Sequence, residues 1–395
     1  MMGGMAAPLS GVRVIEVATF ITGPYAGMLL AALGADVVKV EPPGAGDPFR
    51  IWAAGDTSPR FTAFNRGKRS ICVDLRNDGG REVLHRLAAS ADVFIENHRP
   101  GVVHRLGIDY GVLSTLNPGL IYCSISGFGQ DGPSAGRPAY DQVGQAMSGL
   151  MSLLTDGDRP PTPVGPTFSD SLTGLFSVIG ILSALNARAS SGVGQQVRTS
   201  MLQATLGFLV EPIAHLTATG EDPGPYTRPR QSQSYGFRAS DGRCLVIHLS
   251  TPDKFWRGLL RALECEQLLE DERFGSYAAR VGAYTEIEAI LAPIFASRPR
   301  DEWLARLHEQ DVPCAPVNSV AEALADAQVA HLKLARRMSR PDGASEWAVA
   351  LPVELQGIVP TGPAPRLGEH TEDVLAGLGY SRAEADHLRA VNAVA

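Results

Sequence analysis

The chain is poor in the features that would staple, metallate or translocate it. Only five cysteines occur in 395 residues. Cys72, Cys123, Cys244, Cys265 and Cys314 form no CxxC pair, and their odd number and scatter argue against a disulfide framework or a zinc site. A reducing cytoplasm is the compartment this predicts. Basic residues are not in excess: 35 Lys and Arg face 42 Asp and Glu, a net charge of −7. No general positive field therefore draws nucleic acid or anionic lipid, and any phosphate must be recognised locally. Long apolar runs are missing too. The most apolar segment, residues 172–187, falls short of the roughly 20 residues a membrane span needs. It is also interrupted by Thr173, Gly174, Ser177, Gly180, Ser183 and Asn186, and so reads as a buried helix. The opening MMGGMAAPLSG has neither the basic region nor the apolar stretch of a signal peptide. GxGxxG, P-loop, HExxH and GxSxG patterns are all absent, which leaves metal, serine-hydrolase and nicotinamide readings without support.

What is present is an ordinary globular composition, 44% hydrophobic and 19% charged, at a length that predicts two to three domains of about 150 residues each. In the N-terminal third, short apolar runs alternate with helical patterns: residues 12–17, 26–33 and 37–41, then 80–91 and 93–96, then 113–116 and 120–125. Strands separated by helices predict βαβ units and a doubly wound parallel sheet. The runs VRVIEV, DVVKVE, DVFIE and LIYCSI show little alternation, as expected where helices cover both faces. Beyond Ser126 the chain turns Gly- and Pro-rich, then long helices are predicted over 171–189 and 200–219. A second punctuation over 220–234 marks a boundary. A strand over 244–249 and several amphipathic helices follow. The tail from Pro316 holds one more helix, a strand near 347–351 and a final helix after Thr371.

Several groups of residues could carry chemistry. The first βα turn, VIEVATFITGPYAG, opens a helix with Gly23 and Pro24 directly after a strand, a natural anion or ligand site. A tight turn that merely packs explains it as well. Glu41, ending the second strand, is the one candidate for a ribose partner. Arg66, Lys68, Arg69, Arg76, Arg99 and Arg105 cluster near predicted strands. Those that follow strands share the sheet edge where a phosphorylated ligand would lie, although solvated surface charge accounts for any single one. Three aspartates stand in DGDRPPTPVGPTFSD. Asp156 and Asp158 have the composition of a surface turn. Asp170 immediately precedes the long apolar helix, where free N–H groups would hold a carboxylate ionised and oriented as a nucleophile or simply as an N-cap.

The segments PLSGVRVIEVATFITGPYAGMLLAALGADVVKVEPPGAGDPFR, FNRGKRSICVDL, FIENHRPGVVHRLGIDY, LNPGLIYCSISGFGQDGP, YDQVGQAMSGLMS and DVPCAPVNSVAEALADAQV resemble, in fixed order, the class III CoA-transferases, a family that includes α-methylacyl-CoA racemases. The resemblance runs from about Pro8 into the tail. It implies an α/β fold: a large Rossmann-like CoA-binding domain with a parallel sheet over residues 1–220, a small α+β domain over 221–325, and a C-terminal segment, 326–395, that returns to the large domain. It implies further that two chains interlock as a homodimer. By matching positions, Asp170 becomes the aspartate that attacks the acyl-CoA thioester. Phe20, Ile21, Thr22, Val73, Arg76, Asn97, His98, Arg99 and Arg105 become the CoA-binding set, with Arg76, Arg99 and Arg105 near the nucleotide phosphates. Either the helix start or residues 127–129 would supply the oxyanion donors. The implied partners are an acyl-CoA and a carboxylic acid, with neither nucleic acid nor membrane. No metal or redox cofactor is implied, and CoA is a substrate.

Departures from the family narrow the branch. Racemases carry a histidine before an aspartate where this chain has Tyr140 and Asp141, so the acid/base pair lacks its histidine. Formyl-CoA:oxalate transferases carry a glutamine at the position of Ile21 and a glycine-run loop with no counterpart around residues 230–236. Arg137, Arg159, Arg228 and Arg230, in loops, suggest a dicarboxylate of the succinate, mesaconate or itaconate type. The leading expectation is CoA transfer between carboxylic acids; a racemase-type enzyme and a non-catalytic CoA-binding protein are the alternatives.

Overall fold

The computed structural model describes residues 5–52, 58–155, 160–250, 252–340 and 343–395. Six strands, β1 (Arg13–Val17), β2 (Asp36–Glu41), β3 (Arg69–Cys72), β4 (Val93–Glu96), β5 (Ile121–Ser126) and β6 (Gln196–Ser200), form one sheet in the order β3-β2-β1-β4-β5-β6. Every neighbouring pair is parallel. The doubly wound parallel sheet expected from the alternating pattern is therefore what forms. In its centre Ile15 pairs with Val38 on one side and Phe94 on the other, and all three are buried. The two strands that periodicity missed, β3 and β6, are the sheet's edges. RSIC and QVRTS hold too few apolar residues to read as apolar runs, although Ser70, Ile71 and Cys72 of β3 are buried and only β6 is largely part-exposed.

Helices cover both faces, over two apolar cores. One core joins Val38, Val40, Ile71 and Phe94 to α2 (Asp78–Ala89) and to the C-terminal helices Thr371–Gly377 and Arg382–Ala390. α2 begins on Asn77, whose side chain accepts from the Gly79 N–H at 2.9 Å, an N-cap that satisfies one of the first turn's free donors. The other core lies under α1 (Thr22–Ala32) and, after α3 (Asp141–Met147), the 24-residue α4 (Phe168–Ser191). By length and composition α4 could cross a bilayer, but only by that measure. The expectation of a buried helix holds on one face alone. Ser169, Thr173, Gly174, Ser177, Val178, Ile181 and Ala184 are buried, while Leu175, Phe176 and Ile179 are exposed. Small residues on the inner face let α4 approach α1 closely: a Cβ on Gly174 would stand 3.0 Å from the Thr22 carbonyl oxygen. The single helix expected over 200–219 is two, α5 (Met201–Phe208) and Val210–Thr219.

The chain folds as two compact units, residues 1–151, 163–210 and 331–395 in one, and 152–162 with 211–330 in the other. The helix Val210–Thr219 thus belongs almost wholly to the second unit, which this stretch of the chain enters at Glu211 rather than at the expected bound of 220. It ends where Gly220 adopts φ +74°, and the Gly/Pro stretch that follows lies inside that unit and includes the short helix Thr227–Ser232. The second unit carries an antiparallel sheet of β7 (Ser234–Arg238), β8 (Cys244–His248) and β9 (Cys314–Pro316). Its inner residues Tyr235, Phe237, Leu245 and Ile247 pack with Trp256, Leu291, Phe295 and Trp303 from the surrounding helices. The first unit also holds a two-stranded ribbon, β10 (Ala335–Ser339) with β11 (Ser345–Val349). All five cysteines are free thiols.

Candidate active site

The sheet order reverses between β1 and β4: from β1 the chain steps outward to β2 and β3, from β4 to β5 and β6. At such a switch point the turns leaving the two strands diverge and open a crevice beyond their carboxyl ends. A cleft of about 180 Å³ lies there. After β1 it is lined by Thr19, Phe20, Ile21 and Thr22, and after β4 by Asn97, His98, Arg99 and Pro100. Ser126, Gly127, Arg137, Tyr140 and Asp170 complete it. Asn97 stitches the two turns together. Its Nδ2 donates to the Thr19 carbonyl at 2.7 Å and the Thr22 hydroxyl at 3.0 Å, and its Oδ1 accepts from the Thr19 N–H at 3.0 Å. Phe20 sits at φ +63°, a conformation that side chains rarely adopt. Its ring meets Tyr140 and Phe49 edge-on, 5.8 and 5.4 Å between centroids. A Cβ on Gly127 would fall 2.4 Å from the Ala139 Cβ, so only glycine passes there.

Asp170 is not the N-cap that its position suggested. α4 starts two residues earlier, at Phe168, and its free N–H groups are taken by a carboxylate from elsewhere. Asp141, at the start of α3, accepts from the backbone N–H of Asp170 at 3.2 Å and from the amide of Gln145 at 2.6 Å. Among the described residues no hydrogen bond reaches the Asp170 carboxylate. Burial, and secondarily the Asp141 charge, push its pKa up to about 7. The helix start therefore does not hold Asp170 ionised, because its donors already serve Asp141. The result is a carboxylate more basic than usual, desolvated, and open on one side to the cleft. Glu96, at the end of β4, is in a related state. It accepts from the Ser124 hydroxyl and from the His98 N–H, yet burial raises its pKa to about 7. Burial also depresses the pKa of His98.

The structure brings together Asp170, Phe20, Ile21, Thr22, Asn97, His98 and Arg99, but not Val73, Arg76 or Arg105, none of which lines the cleft. Val73 is buried and bridged to Val394 near the C-terminus. Arg76 projects into solvent, paired with Asp74 at 2.9 Å; Arg105 is exposed at the end of the short helix Val102–Arg105. β3 is three strands from β4, on the order of 14 Å at the usual spacing, so residues following it lie well to the side. Arg66 and Lys68 precede β3, Arg69 opens it, and none of the three lines the cleft. Arg69 pairs with Asp36 at 2.9 Å, Arg66 donates to the Val349 carbonyl at 3.2 Å, and Lys68 is buried against Glu16. Glu41 offers nothing to a ribose, because Arg50 holds it with two hydrogen bonds of 2.7 Å and Ser70 with a third. Of the segment 127–129, the Gly129 N–H is already given to Ser126 Oγ at 3.0 Å.

Of the described loop arginines Arg137, Arg228 and Arg230, Arg137 alone lines the cleft. Its guanidinium lies 5.5 Å from the Phe128 ring centre and makes one long hydrogen bond, 3.4 Å, to Ser134. Arg228 and Arg230 belong to the second unit, and Arg228 is paired with Glu211 at 2.7 Å. Residues 230–236 form the end of a short helix and the start of β7 rather than a loop. Asp156, Asp158 and Arg159 lie outside the described residues. Asp141 and Glu96 were the groups that sequence reasoning underrated. The signal was there, a carboxylate opening the helix DQVGQAM and another closing the apolar run VFIE.

The family model of CoA-transferase family III matches residues 9–371. A succinate–glutarate CoA-transferase of Agrobacterium fabrum is 36% identical over 94% of this chain and 96% of its own length. An acetyl-CoA:oxalate CoA-transferase of Acetobacter aceti is 39% identical over 80% and 82%. A succinyl-CoA–D-citramalate CoA-transferase of Chloroflexus aurantiacus is 33% identical over 94% of each. A crystal structure of a CAIB/BAIF family protein from Brucella suis superposes with TM-score 0.84 at 37% identity, covering 95% of this chain and all of the other. The chain belongs to CoA-transferase family III. It is an enzyme, a CoA-transferase.

Proposed function

We propose that this enzyme moves CoA from an acyl-CoA thioester to a carboxylic acid through covalent intermediates on Asp170. The observation that carries the reading is the setting of Asp170: a carboxylate at the switch-point cleft, with no hydrogen-bond donor or paired cation among the described residues, its pKa raised to about 7. Desolvation makes the ionised form a stronger nucleophile. It attacks the thioester carbonyl carbon, the C–S bond breaks, and CoA leaves as the thiolate, giving a mixed anhydride. The thiolate then attacks the aspartyl carbonyl and releases the donor acid, leaving an aspartyl-CoA thioester. The acceptor carboxylate repeats these two steps in reverse and departs as the new acyl-CoA. CoA is thus a substrate, and no other cofactor is called for.

In this reading Phe20, Ile21, Thr22, Asn97, His98 and Arg99 hold the thioester end of acyl-CoA. Arg76 and Arg105, with the backbone beside Val73, lie toward the nucleotide. Arg137 grips the distal carboxylate of a dicarboxylic acid, bidentately where geometry allows, and succinate, mesaconate and itaconate are the first acids to try. Relatives named for succinate, glutarate and citramalate support that class, and the relative named for oxalate adds a shorter acid to the panel. A homodimer accords with the exposed Leu175, Phe176 and Ile179 of α4 and Leu206 and Phe208 of α5.

The experiment is mass spectrometry after mixing the enzyme with a panel of acyl-CoAs and hydroxylamine. A hydroxamate on Asp170, lost in Asp170→Ala, is the expected result. Absence of any adduct despite measurable CoA binding would overturn the assignment.

A further inference from the structure

The turn formed by residues 18–24 is held from two sides. Asn97 grips it from β4, as described. From beneath it is met by four buried charges, Glu16, Lys39, Asp47 and Lys68. Lys39 Nζ lies 2.9 Å from both Glu16 and Asp47, and Lys68 Nζ lies 2.7 Å from Glu16, so the formal charges cancel. Neutrality does not require the second set of bonds these groups make. Lys39 Nζ donates to the Ala18 carbonyl at 2.8 Å, Lys68 Nζ to the Pro24 carbonyl at 2.8 Å, and Asp47 Oδ1 accepts from the Phe20 N–H at 3.4 Å. α1 passes over the cluster at Gly27, where a Cβ would fall 2.0 Å from Glu16 Oε2.

We infer that this buried cluster is a positioning device for the ligand-facing turn, an inference that rests on the reading of the cleft as the acyl-CoA site. Buried ion pairs add little net stability over apolar packing. What they supply is directional, charge-assisted hydrogen bonds in a low dielectric. Here those bonds end on three backbone atoms that bracket Phe20, whose left-handed conformation persists only where its surroundings over-determine it. Glu16, Lys39, Asp47 and Lys68 are therefore positioning residues: they touch no substrate and act through the placement of residues 19–22.

The test is the Kd for CoA, by calorimetry at a temperature where each variant is shown to be folded, alongside its Tm. Asp47→Ala frees the Phe20 N–H and is expected to weaken CoA about tenfold, equivalent to about 1.4 kcal/mol. Asp47→Asn keeps the acceptor oxygen and is expected to restore binding. Should Asp47→Ala not fold, the charge-neutral pair Glu16→Gln with Lys68→Met releases the Pro24 carbonyl and is expected to weaken CoA in the same direction. Phe20→Ala reports on the cleft itself. A lowered Tm with unchanged Kd in the cluster variants, while Phe20→Ala weakens CoA, overturns the positioning role and leaves the cleft assignment standing. Unchanged Kd in all of them, Phe20→Ala included, overturns both.

Discussion

Two sets of desolvated carboxylates in this enzyme behave in opposite ways. Beneath the first turn, Glu16 and Glu41 meet Lys39, Lys68 and Arg50, and although burial works against them, these cations hold both pKa values below the usual carboxylate range. At the cleft, Asp170, Asp141 and Glu96 have no cation at hydrogen-bond distance among the described residues, and burial raises all three. The first arrangement gives a carboxylate that is satisfied and inert. The second leaves one that gains by reacting. The difference teaches where chemistry could sit: fold-building charges are paired, whereas the carboxylate proposed as nucleophile is kept short of partners at some expense of stability.

The comparison breaks most sharply at Asp170. Asp170→Ala is expected to lower the transfer rate by about four orders of magnitude or more, as losing a covalent nucleophile does, with CoA affinity measured by calorimetry almost unchanged. Next in size is the paired set. Lys39→Met strips a buried carboxylate pair of its shared cation and is expected to destabilise the fold by about 3–5 kcal/mol, read from urea unfolding. A loss under 1 kcal/mol there would mean the cluster is not the satisfied network its distances indicate. Arg137→Ala is expected to raise the KM for dicarboxylate acceptors about tenfold or more while leaving that for monocarboxylates unaltered.

The smallest effects sharpen the comparison through pH. Asp170 must be ionised to attack, so the rate of the first acyl transfer should fall as pH drops through about 7. Asp141 raises that value by like-charge repulsion; Asp141→Asn removes the charge and is expected to move the acid limb to lower pH. The stability sign is opposite to that of a paired carboxylate. The folded pKa of Asp170 is raised, so the unfolded chain gives up its proton first, and stability contributed by the protonated form is lost as pH rises from about 4 to about 7. Asp170→Asn should accordingly raise Tm by about 2 °C or more at pH 8 and by little at pH 4. For Glu16 and Glu41, with lowered values, the stability they contribute is present at neutral pH and lost on acidification. A pH–Tm series on the parent enzyme and Asp170→Asn separates the two.

Much of the fold could be read from residue patterns. The apolar runs at 12–17, 37–41, 93–96 and 120–125 mark the four central strands because those strands are buried on both faces. Edge strands β3 and β6, whose sequences RSIC and QVRTS hold few apolar residues, carry no such mark. Asp170 was legible as a residue, through its place before a long apolar helix and through the family's order of motifs. Its setting was not, because the group that occupies the helix's free N–H donors, Asp141, is 29 residues away in sequence.

Local pattern alone thus determined the parallel α/β core, the absence of a dinucleotide fingerprint and, with the family's motifs, the family itself. Each of these depends on the identity of near neighbours along the chain. Tertiary structure alone decided which charges are spent inside the fold and which face the cleft. Lys68 and Arg99 look alike in sequence, yet one is sealed against Glu16 and the other lines the site. That distinction follows from strand order. With β1 beside β4 and β3 at the far edge, the turns after β1 and β4 meet at the cleft, whereas Lys68, just before β3, meets the first turn at the Pro24 carbonyl and does not line the cleft.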